Sequence, residues 1–224
     1  MKDLDAYLAA TEIIDSDAQS VKSRVEEIKA GCLTDAPMEL ARKLFLFARD
    51  GVPFSRFVKV GTKDDFKASV TLQRNKGYCG QKGVLLAALA RAGGIPSRIG
   101  LADIANHAVA PQMLKLLKTN IFKVHVFVEM YLDGDWVRAT PAFDTATCNR
   151  VGWPVVQFDG KADGMLASEL ASGDRFIEYV KFYDTYADFP YDLVMTEMYG
   201  FYGEDTMGQW QKHAEKQGSR EAVC

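Results

Sequence analysis

The sequence predicts an α+β fold, in which a helical N-terminal region and a buried central helix pack against an antiparallel sheet. Residues 3–50 carry the charge spacing and caps of helices. The run from Val84 to Ala90 is apolar on every face, which is typical of a helix buried all round. The clearest strand pattern comes later, over residues 121–144. Helices first and strands later indicate α+β rather than alternating α/β.

The elements before the sheet are predicted from caps and periodicity. Segment 17–31 has helical charge spacing and ends on glycine, and segment 35–51 has a cap, an early proline and a terminal glycine. A short helix is predicted over 63–73. Segment 77–94 then forms the buried helix, which two glycines end.

The second half of the chain is predicted to supply the strands. Its elements are a strand over 95–104, a helix over 111–120, a hairpin over 121–144, a strand over 175–183 and a helix over 191–203. Residues 211–224 are polar, so we expect them to fray. We expect one domain with N-terminal helices at 1–50, a core at about 50–150 and a C-terminal extension at 151–224.

The dipeptide Asp133-Gly134 predicts the register of the hairpin, because this pair favours two-residue turns. The turn gives three cross-strand pairs: Leu132 with Asp135, Tyr131 with Trp136, and Glu129 with Arg138. The last is a plausible ion pair, which supports the register. Strand alternation then places His125 and Thr140 on one face of the hairpin.

Composition argues against several classes of partner. The net charge is −3 with mixed signs, so we expect no binding to nucleic acid or to an anionic membrane. The first fifteen residues carry four acidic side chains, unlike a signal peptide. No uncharged apolar stretch approaches the ~20 residues of a membrane span. We therefore expect a cytoplasmic protein.

Cysteine and histidine usage limits the chemistry that we expect. The cysteines are Cys32, Cys79, Cys148 and Cys224, and they form no CxxC pair. This spacing argues against a thiolate zinc site, and a reducing compartment would leave free thiols. No Asp/Asn loop has calcium-binding spacing. We expect no metal and no cofactor.

Cys79 is the candidate nucleophile. It lies between Gly77 and Gly80 at the mouth of the apolar run, where a helix N-terminus stabilises thiolate. We therefore expect its pKa to fall below the ~8.5 of a free cysteine. The flanking glycines leave space for a substrate backbone. The alternative is a cysteine that only fills space in a loop.

A thiolate nucleophile needs a base, and the chain has three histidines: His107, His125 and His213. His125 lies on the predicted hairpin, although a semi-buried strand histidine is commonly structural. His107 is the competitor, in a loop that would line the same cleft or be solvated. His213 lies in the polar tail and is not expected to contribute. Trp136 is a further candidate for lining the cleft.

Two segments resemble the transglutaminase-like family. Residues 77–100 (GYCGQKGVLLAALARAGGIPSRIG) are similar to its core motif, and residues 125–144 (HVFVEMYLDGDWVRATPAFD) to its second motif. Residues 7–17 and 44–55 resemble the family's approach to the core, so that the resemblance covers roughly 5–145. It implies a papain-like thiol fold, a Cys-His-Asp triad and chemistry on amide bonds, whether transfer, hydrolysis or deamidation.

The resemblance implies roles for individual residues. Cys79 matches the nucleophile and His125 the base, but Thr140 stands where the family has an aspartate. Asp144 is the nearest carboxylate, and a bend at Pro141 would bring it to His125. The alternatives are that Asp144 is an ordinary turn residue and that the Thr140 hydroxyl orients His125.

Candidates for oxyanion stabilisation are less specific. The backbone N–H of Cys79 is one donor. Gln73 lies six residues upstream, a spacing similar to that of the glutamine in papain-like proteases, although a surface glutamine is the commoner case. Tyr78 is another candidate donor or a substrate wall.

The sequence therefore predicts a cysteine-nucleophile amidase, peptidase or acyltransferase that acts on a peptide or protein amide. Two rivals stay open. One is a transglutaminase-like module that binds a peptide or protein without turnover, for which Thr140 is the best argument. The other is a structural domain with a core cysteine. The oligomeric state is left open.

Overall fold

The computed structural model describes residues 4–34 and 36–221. The helices in this part of the chain are α1 Gln19–Ala30, α2 Pro37–Leu46, α3 Ala68–Arg74, α4 Cys79–Ala92, α5 Pro111–Leu117, α6 Thr145–Val151, α7 Tyr191–Tyr202 and α8 Glu204–Glu221. The strands are β1 Ser97–Asn106, β2 Ile121–Leu132, β3 Asp135–Ala139 and β4 Ile177–Tyr186. The α+β prediction is confirmed.

The four strands form one antiparallel sheet in the order β3-β2-β1-β4. All three pairs predicted for the hairpin are present, including Glu129 opposite Arg138. Asp133 and Gly134 both have positive φ, at 49° and 96°, as a two-residue primed turn requires. The Arg138 Nε lies 3.1 Å from Glu129 Oε1, so the predicted ion pair is confirmed as well.

Helix α4 is the centre of the core. Every residue from Gly80 to Arg91 is buried, as the apolar run predicts. The helix packs against β2 on one side and against α1, α2 and α3 on the other. A Cβ at Gly83 would lie 2.5 Å from Val126 Cγ1, so only glycine permits this close approach of helix and strand.

The C-terminal region differs from the prediction. Residues 211–221 do not fray but belong to α8, because Trp210 and Ala214 bury an apolar side of that helix against the rest of the fold. Helix α6 was not predicted either. In the part of the chain that the structure describes, no helix is both long and apolar enough to span a membrane.

Candidate active site

Cys79 is the first residue of α4, and the preceding loop is held on both sides. The Gly77 N–H donates to Pro53 O at 3.2 Å, and Ser55 N donates to Gly77 O at 2.9 Å. The Tyr78 N–H donates to the Gln81 side chain at 3.1 Å. These bonds fix the backbone around a half-buried Cys79 side chain.

Cys79 lines a pocket of about 90 Å³ that is open to solvent. Most of the wall is aromatic or aliphatic: Phe54, Tyr78, Val109, Ala110, Met113, Phe122, Phe143, Trp153 and Trp210, with Arg56 and Asn106 as polar members. Segments that lie far apart in the sequence, from residue 54 to residue 210, therefore meet at this pocket.

The pKa of Cys79 is opposite to the prediction. Burial raises the pKa of the thiol to about 11, although the backbone N–H groups of Val126, Gly80 and Cys79 itself act to lower it. The sequence correctly indicated a helix N-terminus, but it did not show the apolar wall around the sulfur. Desolvation of the thiolate outweighs the helix terminus.

His125 and Cys79 share two neighbours. The Val126 N–H, which stabilises the Cys79 thiolate, directly follows His125 in β2. The Tyr179 ring lies edge-on to the His125 ring, with 6.3 Å between the centroids. Burial is the main cause that raises the pKa of the Tyr179 hydroxyl, and a negative charge on Cys79 raises it further. The two side chains therefore belong to one neighbourhood at the N-terminus of α4.

The His125 ring has one hydrogen-bond partner among the described residues, the Thr140 hydroxyl. The Nε2–Oγ1 distance is 3.1 Å, and Thr140 Oγ1 also lies 3.4 Å from Val126 O. If Thr140 donates to that carbonyl, it accepts from Nε2–H, and Nδ1 keeps a free lone pair. Burial lowers the pKa of His125 to about 4, so the ring is neutral at pH 7.

A β-bulge precedes His125. The pairing of β1 and β2 shifts between Ala102 and Ile104, and Val124 has a φ of 50°. Asp103 Oδ1 accepts the Val124 N–H at 3.0 Å, which satisfies the displaced donor. Bulges redirect neighbouring side chains, and positive φ at a β-branched residue is strained. The bulge therefore sets where β2 presents His125.

Asp144 does not orient His125, and this corrects the predicted triad. Its carboxylate accepts the Phe54 N–H at 2.7 Å, the Thr147 N–H at 2.7 Å and the Thr147 hydroxyl at 2.9 Å. Asp144 is the N-cap of α6, so the chain turns into a helix after Pro141 and carries the carboxylate with it. Burial acts to raise the pKa of Asp144, but these donors hold it below its ordinary value.

Lys82, on α4, binds the backbone segment that precedes Phe54. Its Nζ donates to Arg49 O and to Val52 O, each at 2.7 Å, and the side chain is fully buried. Burial lowers the pKa of Lys82 to about 7, against the attraction of Asp144. Lys82 and Asp144 together hold the segment that carries Phe54 into the pocket wall.

Of the other candidate residues from the sequence, one lines the Cys79 pocket and three lie elsewhere. Tyr78 lines the pocket beside Cys79. Gln73 is exposed on α3 and lines a different surface hollow, so it is not an oxyanion donor. His107 lies 3.2 Å from Glu178 in another depression. Trp136 packs on Tyr7, away from the pocket, so its predicted place in the cleft is wrong.

Two further predictions concern the remaining histidine and the thiols. His213 stacks on Phe57 at 5.0 Å between ring centroids, as part of α8 rather than of a frayed tail. Cys32 and Cys148 are free thiols, like Cys79. Cys224 lies outside the described residues. No group of His, Cys, Asp and Glu side chains suited to a metal ion is found within residues 4–34 and 36–221.

Sequence reasoning missed several residues of the pocket. Trp153 lies in a segment for which no helix or strand was predicted, and Trp210 directly precedes the tail that was predicted to fray. Tyr179 was placed on a strand but not near the site. The useful signal was the presence of large aromatic side chains in an otherwise polar C-terminal region, where a solvated tail would have none.

Comparison with known families agrees with this geometry. The model of the transglutaminase-like superfamily matches residues 22–141, which is more than half of the chain. The match includes Cys79, His125 and Thr140. No curated protein is similar enough in sequence to count as a match.

Several solved structures are similar in outline. A candidate cysteine protease from Cytophaga hutchinsonii is 14% identical, with a TM-score of 0.47, over 83% of this chain and 55% of that one. The periplasmic domain of TgpA from Pseudomonas aeruginosa is 17% identical, with a TM-score of 0.42, over 60% and 45%. A candidate protease from Parabacteroides distasonis is 15% identical, with a TM-score of 0.38, over 60% and 24%. The chain thus spans about half the length of the first two proteins.

Proposed function

The chain belongs to the transglutaminase-like superfamily, and from this premise we propose that it performs thiol-dependent chemistry on amide bonds. Cys79 is the nucleophile, His125 is the base and Thr140 orients the base. The substrate is a peptide or protein amide, and the reaction is hydrolysis or acyl transfer. We keep the sequence-based proposals of a single domain over residues 1–224 and of a cytoplasmic location.

The position of Cys79 carries this proposal. A half-buried thiol at the N-terminus of a rigid, buried helix faces an open pocket, and backbone N–H groups from α4 and β2 surround its sulfur. A thiol that only filled space would not need an open approach from solvent. His125 is 3% exposed and lies on the strand whose next residue, Val126, directs its N–H to the sulfur.

The neutral resting state determines how the proton moves. With a pKa of about 11 for Cys79 and about 4 for His125, the thiol keeps its proton until a carbonyl is attacked. The S–H proton passes to His125 Nδ1 as sulfur bonds to the carbonyl carbon. The imidazolium then protonates the leaving amine as the C–N bond breaks. Water or a second amine resolves the acyl-thioester and regenerates the thiol.

A binding module without turnover is the second candidate. It is favoured by Thr140, which offers His125 a neutral hydroxyl in place of a carboxylate. A carboxylate stabilises the imidazolium that forms during attack, whereas a hydroxyl only orients the ring. On this alternative the pocket binds an amide-containing ligand without turnover, and the Cys79 thiol does not react with it.

Labelling with an electrophilic amide mimic tests the proposal. We expect a peptidyl fluoromethyl ketone to modify Cys79 in the native protein, as located by mass spectrometry, and the same peptide as an anilide to release amine. Cys79→Ala abolishes both signals, whereas Cys32→Ser, a half-buried thiol outside the pocket, leaves both unchanged.

Two results would count against catalysis. Modification of Cys79 without any release of amine favours the binding module. Faster modification of Cys32 or Cys148 than of Cys79 means that the pocket does not present the reactive thiol, and the assignment of the nucleophile is then wrong.

A further inference from the structure

The bulge in β2 lies immediately before His125. Lys123 and Val124 of β2 oppose a single residue of β1, Asp103. Val124 has a φ of 50°, which is unfavourable for a β-branched residue. Strained backbone persists where the surrounding contacts hold it, and such strain is concentrated at functional sites. The contacts that hold this bulge therefore affect how β2 presents His125.

The bulge puts His125 and Phe122 on the same face of the sheet. His125 pairs with Ala102 of β1, and Phe122 pairs with Ile104. Ala102 and Ile104 are two residues apart, so they and their partners share one face. In a regular strand, His125 and Phe122 would be three residues apart and would point to opposite faces. Because Phe122 lines the Cys79 pocket, the bulge brings the proposed base onto the face of a pocket residue.

Asp103 holds the bulge from β1. Its side chain is 5% exposed, and its Oδ1 accepts the Val124 N–H at 3.0 Å. Its Oδ2 lies 2.5 Å from the Lys123 Nζ. The Tyr183 hydroxyl of β4 lies 3.1 Å from the Asp103 Oδ1. One buried carboxylate thus binds the backbone of one bulge residue and the side chain of the other.

Helix α7 binds the same segment of β2. Glu197 Oε2 lies 3.0 Å from the Lys123 Nζ and 2.9 Å from the Tyr183 hydroxyl. The Lys123 N–H donates to the Tyr202 hydroxyl at 2.9 Å, and that hydroxyl donates to Ile121 O at 3.1 Å. Both N–H groups of the bulge therefore donate to side chains, one from β1 and one from α7. Helix α7 lies after the residues that the family model matches.

We propose that Asp103 is a positioning residue for His125, and that Tyr202 of α7 assists it by accepting the Lys123 N–H. The carboxylate stabilises the strained backbone of the bulge, and the bulge sets the direction of the His125 ring. The inference rests on the proposed function for the role of His125 as a base. It adds that the base depends on a helix outside the matched residues.

Substitution of Asp103 tests the inference in the full chain. Asp103→Ala removes the acceptor of the Val124 N–H, so we expect kcat to fall by about tenfold or more with KM unchanged, because a misplaced base slows the chemistry and not binding. Asp103→Asn keeps an oxygen acceptor and should restore kcat to within about threefold of the native value.

Asp188→Ala is the matched control for this substitution. Asp188 is a half-buried carboxylate that accepts the Thr11 hydroxyl at 2.6 Å and the Phe189 N–H at 2.8 Å, and it lines a different depression. We expect its loss to leave kcat unchanged. A native kcat in Asp103→Ala, or equal losses in Asp103→Ala and Asp188→Ala, would overturn the inference. A loss in Asp103→Asn as large as in Asp103→Ala also counts against it.

A milder pair of variants tests the part of α7. Tyr202→Phe removes only a hydroxyl, and we expect kcat to fall by about threefold with KM unchanged. Tyr191→Phe, on the same helix, removes a hydroxyl that donates to Gly61 O at 2.9 Å, and it should leave kcat unchanged. If Asp103→Ala does not fold, this pair carries the test, and equal kcat values in the two variants contradict the inference.

NMR of the His125 ring separates this inference from the proposed function. In Cys79→Ala we expect the Nε2–H proton, which is hydrogen-bonded to Thr140, to give one sharp signal at pH 7. Adding Asp103→Ala should shift or broaden that signal, whereas adding Asp188→Ala should not, even if no amide is turned over and the proposed function fails. An unchanged signal in the Asp103→Ala protein overturns the inference even if Cys79 proves catalytic.

Discussion

Two buried polar clusters adjoin the Cys79 pocket, and they differ in how fully their central group is satisfied. The histidine cluster consists of His125, Thr140 and Tyr179, and its imidazole makes one hydrogen bond, to a neutral hydroxyl. The aspartate cluster consists of Asp144, Thr147 and Lys82. Its carboxylate accepts three hydrogen bonds, including one from the Phe54 backbone.

The difference shows that the buried carboxylate of Asp144 supports the backbone around the pocket and not the His125 ring. Thr140 stands where the family motif has an aspartate, and the nearest carboxylate, Asp144, instead holds a loop and caps a helix, both of which shape the pocket wall. The wall is therefore held firmly, whereas the His125 ring has only an uncharged hydrogen-bond partner, Thr140. The aspartate cluster should then govern stability and the histidine cluster activity.

The two cysteines nearest these clusters should give the largest contrast. Cys79→Ala removes the proposed nucleophile, so we expect amide turnover to fall by about 10³-fold or more. Cys148 is 1% exposed in α6, beside the aspartate cluster, and Cys148→Ala should keep turnover while lowering the free energy of unfolding by about 1 kcal/mol. Steady-state kinetics and urea unfolding measure both. Turnover that survives Cys79→Ala would mean that Cys79 is not the nucleophile.

The pH dependence of thiol labelling should be the next largest effect. A pKa of about 11 keeps Cys79 protonated at neutral pH, and only the thiolate reacts with iodoacetamide. The rate at Cys79 should therefore rise about tenfold for each pH unit between pH 7 and pH 9, roughly a hundredfold in all. The readout is mass spectrometry of the labelled peptide over time. A plateau near pH 8 would show that His125 or the helix terminus lowers the pKa after all.

Truncation of Asp144 should affect stability more than chemistry. Asp144→Ala removes the cap of α6 and the acceptor for the Phe54 N–H, so we expect the free energy of unfolding to fall by about 2–3 kcal/mol. Asp159→Ala is the control, because that exposed carboxylate also accepts two backbone N–H groups. Its loss should be smaller, since water replaces it. Equal losses in urea unfolding would mean that the burial of Asp144 adds nothing.

The smallest expected effect comes from the hydroxyl beside the base. Thr140→Val removes the partner of His125 Nε2, so kcat should fall about tenfold with KM unchanged. Thr147→Val removes a comparable hydroxyl from the aspartate cluster and should leave kcat unchanged. A steady-state comparison of the two variants at fixed pH measures this difference. The same kcat in both would mean that Thr140 does not orient the base.

Local chemistry explains why part of the fold was predictable. The hairpin register follows from Asp133 and Gly134, whose positive φ values define the turn. Helix α4 follows from its uninterrupted apolar run. Both features depend on residues close together in sequence, so the sequence pattern contains the decisive information.

Contacts between distant residues explain the rest. The direction of the chain after Pro141 depends on the bond from Asp144 to the Phe54 backbone, 90 residues away in sequence. The apolar environment of Cys79 is supplied partly by Trp210, which no local pattern connects to the pocket. The local sequence therefore favoured Asp144 over Thr140 as partner of His125, and the position of Cys79 at a helix N-terminus predicted the wrong direction for the thiol pKa.

Strand β4 has a practical consequence for defining a minimal folding unit. The family match ends at residue 141, whereas β4 comes from Ile177–Tyr186 and pairs with β1 along the open side of the sheet. A protein cut to the matched residues would expose the N–H and C=O groups of a long, buried strand. Unprotected edges of this kind pair with other chains. Such a fragment should therefore aggregate on expression, and the shortest soluble product must extend past residue 186.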